Sequence, residues 1–250
     1  MLEGLPRPFV FAHRGASKYA PENTLAAFRL AVEQGAQALE LDAKLSRDAQ
    51  IVVIHDATLD RTTGTAGKVC DTPLSALREL DAGSFFSARF QGETIPTLSE
   101  VFEEIGRRVL INVELTNYTT PNDGLVDGVV DLVKRMGMQE SVLFSSFFPA
   151  NLFRAKKLLP DVPCGLLTWA GIAGAWARSI PGDWIPHEAL HPYLTDVTAR
   201  LVEKNHRKGR RIHVWTVNQA AEMRHLVGLG VDGIFTDDPL LALQTFGVTQ

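Results

Sequence analysis

Short apolar runs of four to eight residues alternate with amphipathic stretches along nearly the whole chain, and this alternation limits the fold more than any other feature of the sequence. Such runs predict strands at residues 9–12, 38–45, 51–54, 109–115, 142–147, 162–167, 212–217 and 233–236. Helical patterns lie between several of them, at 98–105, 124–136, 150–159, 196–206 and 220–227. The first unit is complete on its own. Phe9 to Ala12 leads through a loop to Asn23 or Thr24 as helix cap, then to Leu25, Phe28 and Val32 on one face, with Gly35 as the stop. Strands and helices taking turns imply a parallel sheet covered by helices. At 250 residues and 45% hydrophobic composition, the expectation is one α/β domain spanning 1–250, a (β/α)8 barrel.

Two stretches break the rhythm. Residues 57–96 are rich in turn signals, including Gly64, Gly67, Pro73, Gly83, Gly92 and Pro96, and read as a small subdomain inserted after an early strand. Residues 170–192 carry a weak period, with a helix and an irregular short strand expected near Trp184 and Ile185.

Charge and cysteine content exclude several function classes. The 25 basic and 29 acidic residues leave a formal charge of -4 without a clustered basic face, so no nucleic-acid partner is expected. Cys70 and Cys164 are too few for a disulfide framework or a thiolate zinc site. No run reaches the roughly 18 apolar residues of a membrane span, and Met1 to Pro8 lacks the features of a leader, so a cytoplasmic location without membrane insertion is expected. Oligomeric state is not legible.

Chemistry-bearing residues gather at the ends of the strand candidates, where a barrel places its active site. His13 and Arg14 follow the first strand, Glu40 and Asp42 lie in the second, His55 follows the third, and Glu114 lies in the fourth. Glu40 and Asp42 are two apart and share a strand face. Two buried carboxylates on one face repel and are costly to desolvate unless a cation lies between them, although a solvated strand edge explains the pair equally well in isolation. Glu114 adds a third oxygen donor from an equivalent position. Three such donors without cysteine suit Mg²⁺ or Ca²⁺ better than zinc. His13 and His55 are candidate acid and base because imidazoles titrate near neutrality, while each alone is equally explained as a hydrogen-bonded structural residue. Arg14 offers a planar cation suited to phosphate.

The chain resembles the glycerophosphodiester phosphodiesterases from Ala12 to Pro239. The resemblance rests on Ala12-His13-Arg14-Gly15, Ala20-Pro21-Glu22-Asn23-Thr24, Glu40-Leu41-Asp42, His55-Asp56, Leu59-Asp60-Arg61-Thr62-Thr63 and Ile95-Pro96-Thr97-Leu98 in the first half. Asn112-Val113-Glu114, Ser145-Ser146-Phe147, Trp215-Thr216-Val217-Asn218, Gly230-Val231-Asp232-Gly233 and Thr236-Asp237-Asp238-Pro239 carry it in the second. It implies metal-dependent hydrolysis of deacylated phospholipids to glycerol 3-phosphate and an alcohol, a step of lipid and glycerol metabolism. Glu40, Asp42 and Glu114 would hold the divalent ion, His13 and His55 would form the catalytic pair, Arg14 would clamp the phosphate, and Trp215 would wall the glycerol. Glu22 and Asn23 are expected to shape their loop and cap the first helix, and Asp237 and Asp238 to start the last one.

One departure stands out. The family commonly has a lysine two residues beyond the third metal carboxylate, where this chain has Thr116. Lys44, two beyond Asp42 on the same strand face, is the candidate replacement. Water and the substrate's own glycerol hydroxyl both remain open as nucleophile. The rival readings are a lysophospholipid or glycerophosphoinositol phosphodiesterase on the same barrel, a non-catalytic barrel binding phosphorylated ligands, and, more remotely, a zinc amidohydrolase.

Overall fold

In the computed structural model, which describes Leu2 and residues 5–248, the parallel strands close into a barrel. They are β1 (Phe9–His13), β2 (Ala38–Leu45), β4 (Leu110–Leu115), β5 (Val142–Ser146), β6 (Cys164–Leu167), β7 (Ala189–His191), β8 (Arg211–Val214) and β9 (Gly233–Thr236). Each pairs in parallel with the next, and β1 pairs with both β2 and β9, which completes the ring. Helices α1 (Leu25–Glu33), α4 (Leu98–Glu104), α5 (Leu125–Arg135), α6 (Pro149–Leu158), α7 (Ala199–His206) and α8 (Ala220–Gly228) lie in the connections, and α9 (Pro239–Phe246) follows the last strand. The fold is a (β/α)8 barrel. No helix among the described residues is long and apolar enough to cross a membrane. The leader reading of Met1 to Pro8 lies partly outside the described residues.

The two-residue period of the strands divides the interior into two parts. Val10, Ala12, Leu39, Leu41, Ile111, Val113 and Phe144 point outward and pack with the inner faces of the helices in the main core. Phe9, Phe11, Ala38, Leu110, Leu143, Ala189 and Phe235 point inward and fill the barrel's lower half. The same inward faces, continued toward the C-terminal strand ends, carry His13, Glu40 and Glu114 to the mouth. Local signals set the helix starts. Thr24 caps α1 by accepting from Ala27 N, and Thr97 with Glu100 forms a reciprocal capping box on α4.

Two sequence expectations need correction. The run at 51–54 is not a barrel strand: β3 (Ile51–Val53) folds back antiparallel on β2, with Ala43 opposite Val53. His55 therefore reaches the mouth through a hairpin register and not from a parallel strand end. The strand expected near Trp184 and Ile185 lies instead at Ala189–His191, and Pro181–Trp184 forms a 3-10 turn. Proline opens that turn, and a Cβ on Gly182 would meet Ala177 O at 1.9 Å, so the backbone there is folded tightly and cannot run extended.

Residues between β3 and α4 form turns and two short helices, α2 (Asp60–Thr63) and α3 (Leu74–Leu77). They enclose a small apolar cluster of Val52, Ile54, Leu59, Val69, Leu77, Ala82 and Ile95, separate from the main core.

Inside the barrel, Gly165 makes room for the buried His191 ring, since a Cβ there would lie 2.2 Å from its Cε1. That ring is held between His213 and Phe235 and cannot retreat. Gly165→Ala is expected to lower stability by about 2 kcal/mol through overpacking. An unchanged urea midpoint would show that the interior has slack at this level.

Candidate active site

Parallel register brings the acidic side chains together. Asp42 lies opposite Glu114 and Glu40 opposite Asn112, while His13 on the other neighbour lies opposite Glu40. Carboxylate oxygens of Glu40, Asp42 and Glu114 come within 4.8 Å of one another. Each is then held from a different direction. Arg14 N donates to Glu40 Oε2 at 3.0 Å, which the positive φ of Arg14 (56°) makes possible. Asn23 Nδ2 donates to Asp42 Oδ2 at 2.9 Å, and Tyr118 OH donates to Glu114 Oε1 at 2.8 Å.

The two histidines flank this cluster and share one design. His13 Nδ1 donates to Asp237 Oδ1 at 2.6 Å, and Asp237 is held in turn by Asn218 Nδ2 and Ser17 Oγ. His55 Nδ1 donates to Asp56 Oδ1 at 2.7 Å, and Asp56 also receives Arg61 Nε at 2.6 Å. Arg61 forks onto both oxygens of Glu22, which also accepts from Arg14. With Nδ1 occupied, each ring offers Nε2 for chemistry. His13 Nε2 is 4.0 Å from Glu40 Oε2.

Both histidines, Arg14, Glu40, Asn112 and Glu114 line a cavity of about 80 Å³, closed on the other side by Phe147, Leu167, Trp215 and Phe235. Trp215 Nε1 donates to His191 O at 2.8 Å, which fixes its ring edge-on to Phe147. Phe147 stacks on Trp169 with centroids 4.0 Å apart. The lining thus combines carboxylates with apolar, mostly aromatic, side chains.

The sequence pattern of the glycerophosphoryl diester phosphodiesterase family matches residues 13–241, a span that begins at the first of these histidines. The chain belongs to this family. It is 40% identical over 234 residues to a glycerophosphodiester phosphodiesterase of Caldanaerobacter subterraneus, covering 93% of this chain and 95% of that one. An Oleispira antarctica phosphodiesterase solved with the product sn-glycerol-3-phosphate superposes with a TM-score of 0.89 at 34% identity, covering 96% and 97% of the two chains. The Agrobacterium tumefaciens glycerophosphodiester phosphodiesterase gives 0.81 at 30% identity, covering 95% and 99%. Membership makes the protein a phosphoric diester hydrolase and displaces the non-catalytic and amidohydrolase readings.

Within this glycerophosphodiester phosphodiesterase site, several contacts escaped the sequence. The sequence places Asp237 with Asp238 at a helix start; Asp238 does cap α9, but Asp237 holds His13. Its position just beyond β9, at the C-terminal end of a barrel strand, was the available signal. Asn23 does not cap α1, which Thr24 does; it clamps Asp42. Tyr118, in the loop after β4, left no trace in the pattern. Lys44 is held by the Thr116 carbonyl and hydroxyl at 2.9 and 2.8 Å, beside the cavity and not among its lining residues.

Electrostatics tests whether a cation suits the trio. Burial, then Asp42 and Glu114, push Glu40 well above the usual carboxylate range. Burial and Asp42 push Glu114 up to about 8. Burial also opposes ionisation of Asp42, yet Arg14, His55 and Asn23 outweigh it and hold that carboxyl low. Asn112 Nδ2 donates to Ser145 Oγ, leaving its buried Oδ1 without a protein partner at the cavity wall. Crowded carboxylates and an orphaned amide oxygen form an oxygen donor set suited to a hard divalent cation.

The pH dependence follows from linkage. The unfolded chain loses the Glu114 proton near pH 4, whereas the folded, metal-free protein keeps it to about 8. The folded state binds more protons across that window, so its stability falls as pH rises through it. Melting temperature of chelator-treated protein should therefore decline from about pH 5 to about pH 8.5, and a divalent cation should stabilise most at the upper end. Equal metal-induced shifts at both ends would contradict this account.

Proposed function

We propose that the protein catalyses divalent-metal-dependent hydrolysis of glycerophosphodiesters to glycerol 3-phosphate and an alcohol, with His13 and His55 as the acid–base pair. The observation that carries this reading is the carboxylate trio placed between two imidazoles, each backed by its own aspartate. The product bound by the Oleispira relative supports the same substrate class.

Glu40, Asp42 and Glu114 would hold Mg²⁺ or Ca²⁺, which supplies Lewis-acid stabilisation of phosphate charge when bound. Arg14 adds a second positive charge from the cavity wall. Its guanidinium is fixed by Glu22 and lies 3.4 Å from Asp42, so it meets the phosphate already oriented. Trp215 and Phe147 cover the apolar edge of the glycerol and keep it turned toward the trio.

Proton transfer falls to the two Nε2 atoms. Burial opposes the charge on Asp56, but Arg61 and His55 outweigh it and bring its carboxyl down to about 2. Burial likewise opposes the charge on Asp237, and hydrogen bonding and the charge of His13 outweigh it. Both aspartates therefore remain anionic near neutral pH, fix the tautomer with Nδ1–H, and stabilise the imidazolium form. The neutral ring takes the nucleophile's proton, and the protonated ring gives one to the leaving alcohol. That nucleophile is either water or the free glycerol hydroxyl.

Lys44 acts at one remove. Its ammonium is tied to Thr116, yet its charge is felt at Asp42 and Glu114, so it tunes the trio and does not touch phosphate.

Release of glycerol 3-phosphate from glycerophosphocholine by chelator-treated protein should be absent and should return with Mg²⁺ or Ca²⁺. Folded protein that stays inactive with every divalent ion would end this reading. Replacing either histidine by alanine should lower kcat by about 10²–10⁴-fold. Asp237→Asn should lower kcat by about tenfold or more, with little change in KM and a displaced pH profile. A KM effect alone would show that Asp237 merely shapes the loop.

A further inference from the structure

The connection from β6 to β7 exposes Trp169, Ile172, Trp176, Ile180 and Trp184 at 48%, 94%, 44%, 70% and 78%. Isolated exposed apolar side chains are ordinary, but five large ones within sixteen residues of one connection are not. This loop is also built to stay in place. Arg178 turns inward, pairs with Asp196 at 3.1 Å, and donates to the carbonyls of Trp169 and Gly171. Gly171 N donates to the same Asp196. The other charge in the segment, Asp183, is taken up by Lys204, Lys208 and Arg210. Both ionisable side chains between 168 and 184 thus face the body, and the outer face presents indoles and aliphatic groups without charge.

The Trp169 end of this connection adjoins the catalytic mouth, and its Asp183–Trp184 end is tied to Lys208 and Arg210 ahead of β8, at the other end of the barrel. Trp169 stacks on Phe147, and Phe147 lines the cavity beside Glu114 and His55. We propose that the loop seats the mouth on a lipid–water interface, where the site takes the headgroup of a single-chain glycerophospholipid whose acyl chain leaves along Phe147 and Trp169. The substrate part rests on the proposed phosphodiesterase reaction, whereas the docking part does not. A segment whose own two charges are paired inward, and whose exposed side chains are apolar, fits a neutral lipid surface better than a charged partner. Tryptophan favours the interfacial zone, with its ring in the apolar region and its N–H toward water.

The test uses the full chain with phosphatidylcholine vesicles, read by co-sedimentation and by a blue shift of tryptophan emission. Binding should persist at about 1 M salt, where charge effects reach only about 3 Å. The double variant Ile172→Asp with Ile180→Asp changes side chains outside the cavity. It should weaken vesicle binding at least about tenfold and lower turnover of micellar lysophosphatidylcholine to a similar degree, leaving glycerophosphocholine turnover unchanged. Ile172→Ser provides a milder variant should the double one fold poorly, and should weaken both in the same direction.

Wild-type protein that ignores the vesicles would overturn the proposal, as would variants that bind and turn over lysophosphatidylcholine like wild type. A variant that only converts dimer to monomer by light scattering would assign the patch to a second copy of the chain and overturn it equally. Failure of glycerophosphocholine turnover would strike the proposed reaction alone, because vesicle binding is read without catalysis.

Discussion

Three carboxylates crowded onto the inward faces of two adjacent strands set the terms for the rest of the mouth. The register that places Asp42 opposite Glu114 leaves them no freedom to separate, and the barrel wall shields Glu40 and Asp42 from water and Glu114 in part. Such a cluster is costly unless protons or a cation share its charge. The surroundings distribute that burden unequally. Asp42 receives Arg14 and Asn23 and stays anionic, while Glu40 and Glu114 are pushed upward. The left-handed backbone of Arg14, uncommon for a residue with a side chain, follows from this need: it turns a peptide N–H toward Glu40 while the same residue's guanidinium faces Asp42.

The two histidines reach the cluster by different routes and arrive with matching support. His13 ends β1 and leans on Asp237 just beyond β9, an adjacent strand, so barrel closure itself assembles that pair. His55 depends on the β2–β3 hairpin, and its aspartate depends on Arg61 from α2. The small apolar cluster under residues 57–96 gains a role from this arrangement: by packing Leu59 and Val69, it fixes the segment from which Arg61 reaches both Asp56 and Glu22. The chain of ion pairs from His55 through Glu22 to Arg14 makes the acid–base group and the proposed phosphate clamp parts of one network.

What the sequence revealed follows from how each signal arises. Strand runs such as 38–45 and 109–115 are buried on one face by helices and on the other by the barrel interior, so they stand out as nearly continuous apolar segments interrupted only by Glu40, Asp42, Lys44, Asn112 and Glu114. Those interruptions are the candidate site and the lysine beside it, which is why the site was visible. β7 escaped because three residues ending in a histidine give no period, and its place in the ring comes from pairing with β6 and β8. Asp237 and Tyr118 escaped for a different reason: one contacts a residue 224 positions away and the other folds back from a loop onto Glu114, and neither contact leaves a periodic signal.

Thr116 and Lys44 form a hydrogen-bonded pair beside the carboxylate trio. A lysine at position 116 would lie just beyond the strand carrying Glu114; here the nearby cation sits one strand over, on β2, and reaches back to donate to the threonine hydroxyl and carbonyl. Coulombic influence depends on distance and surroundings and not on which strand supplies the charge, so Asp42 and Glu114 still feel a nearby ammonium. What changes is reach. An ammonium with two of its donors engaged by Thr116 cannot also turn fully toward a phosphate, which leaves Arg14 as the side-chain cation lining the cavity among the described residues. In the proposed reaction the guanidinium of Arg14 and the bound divalent ion therefore share the phosphate charge, and the rigid Glu22–Arg61 fork that holds Arg14 becomes correspondingly more important.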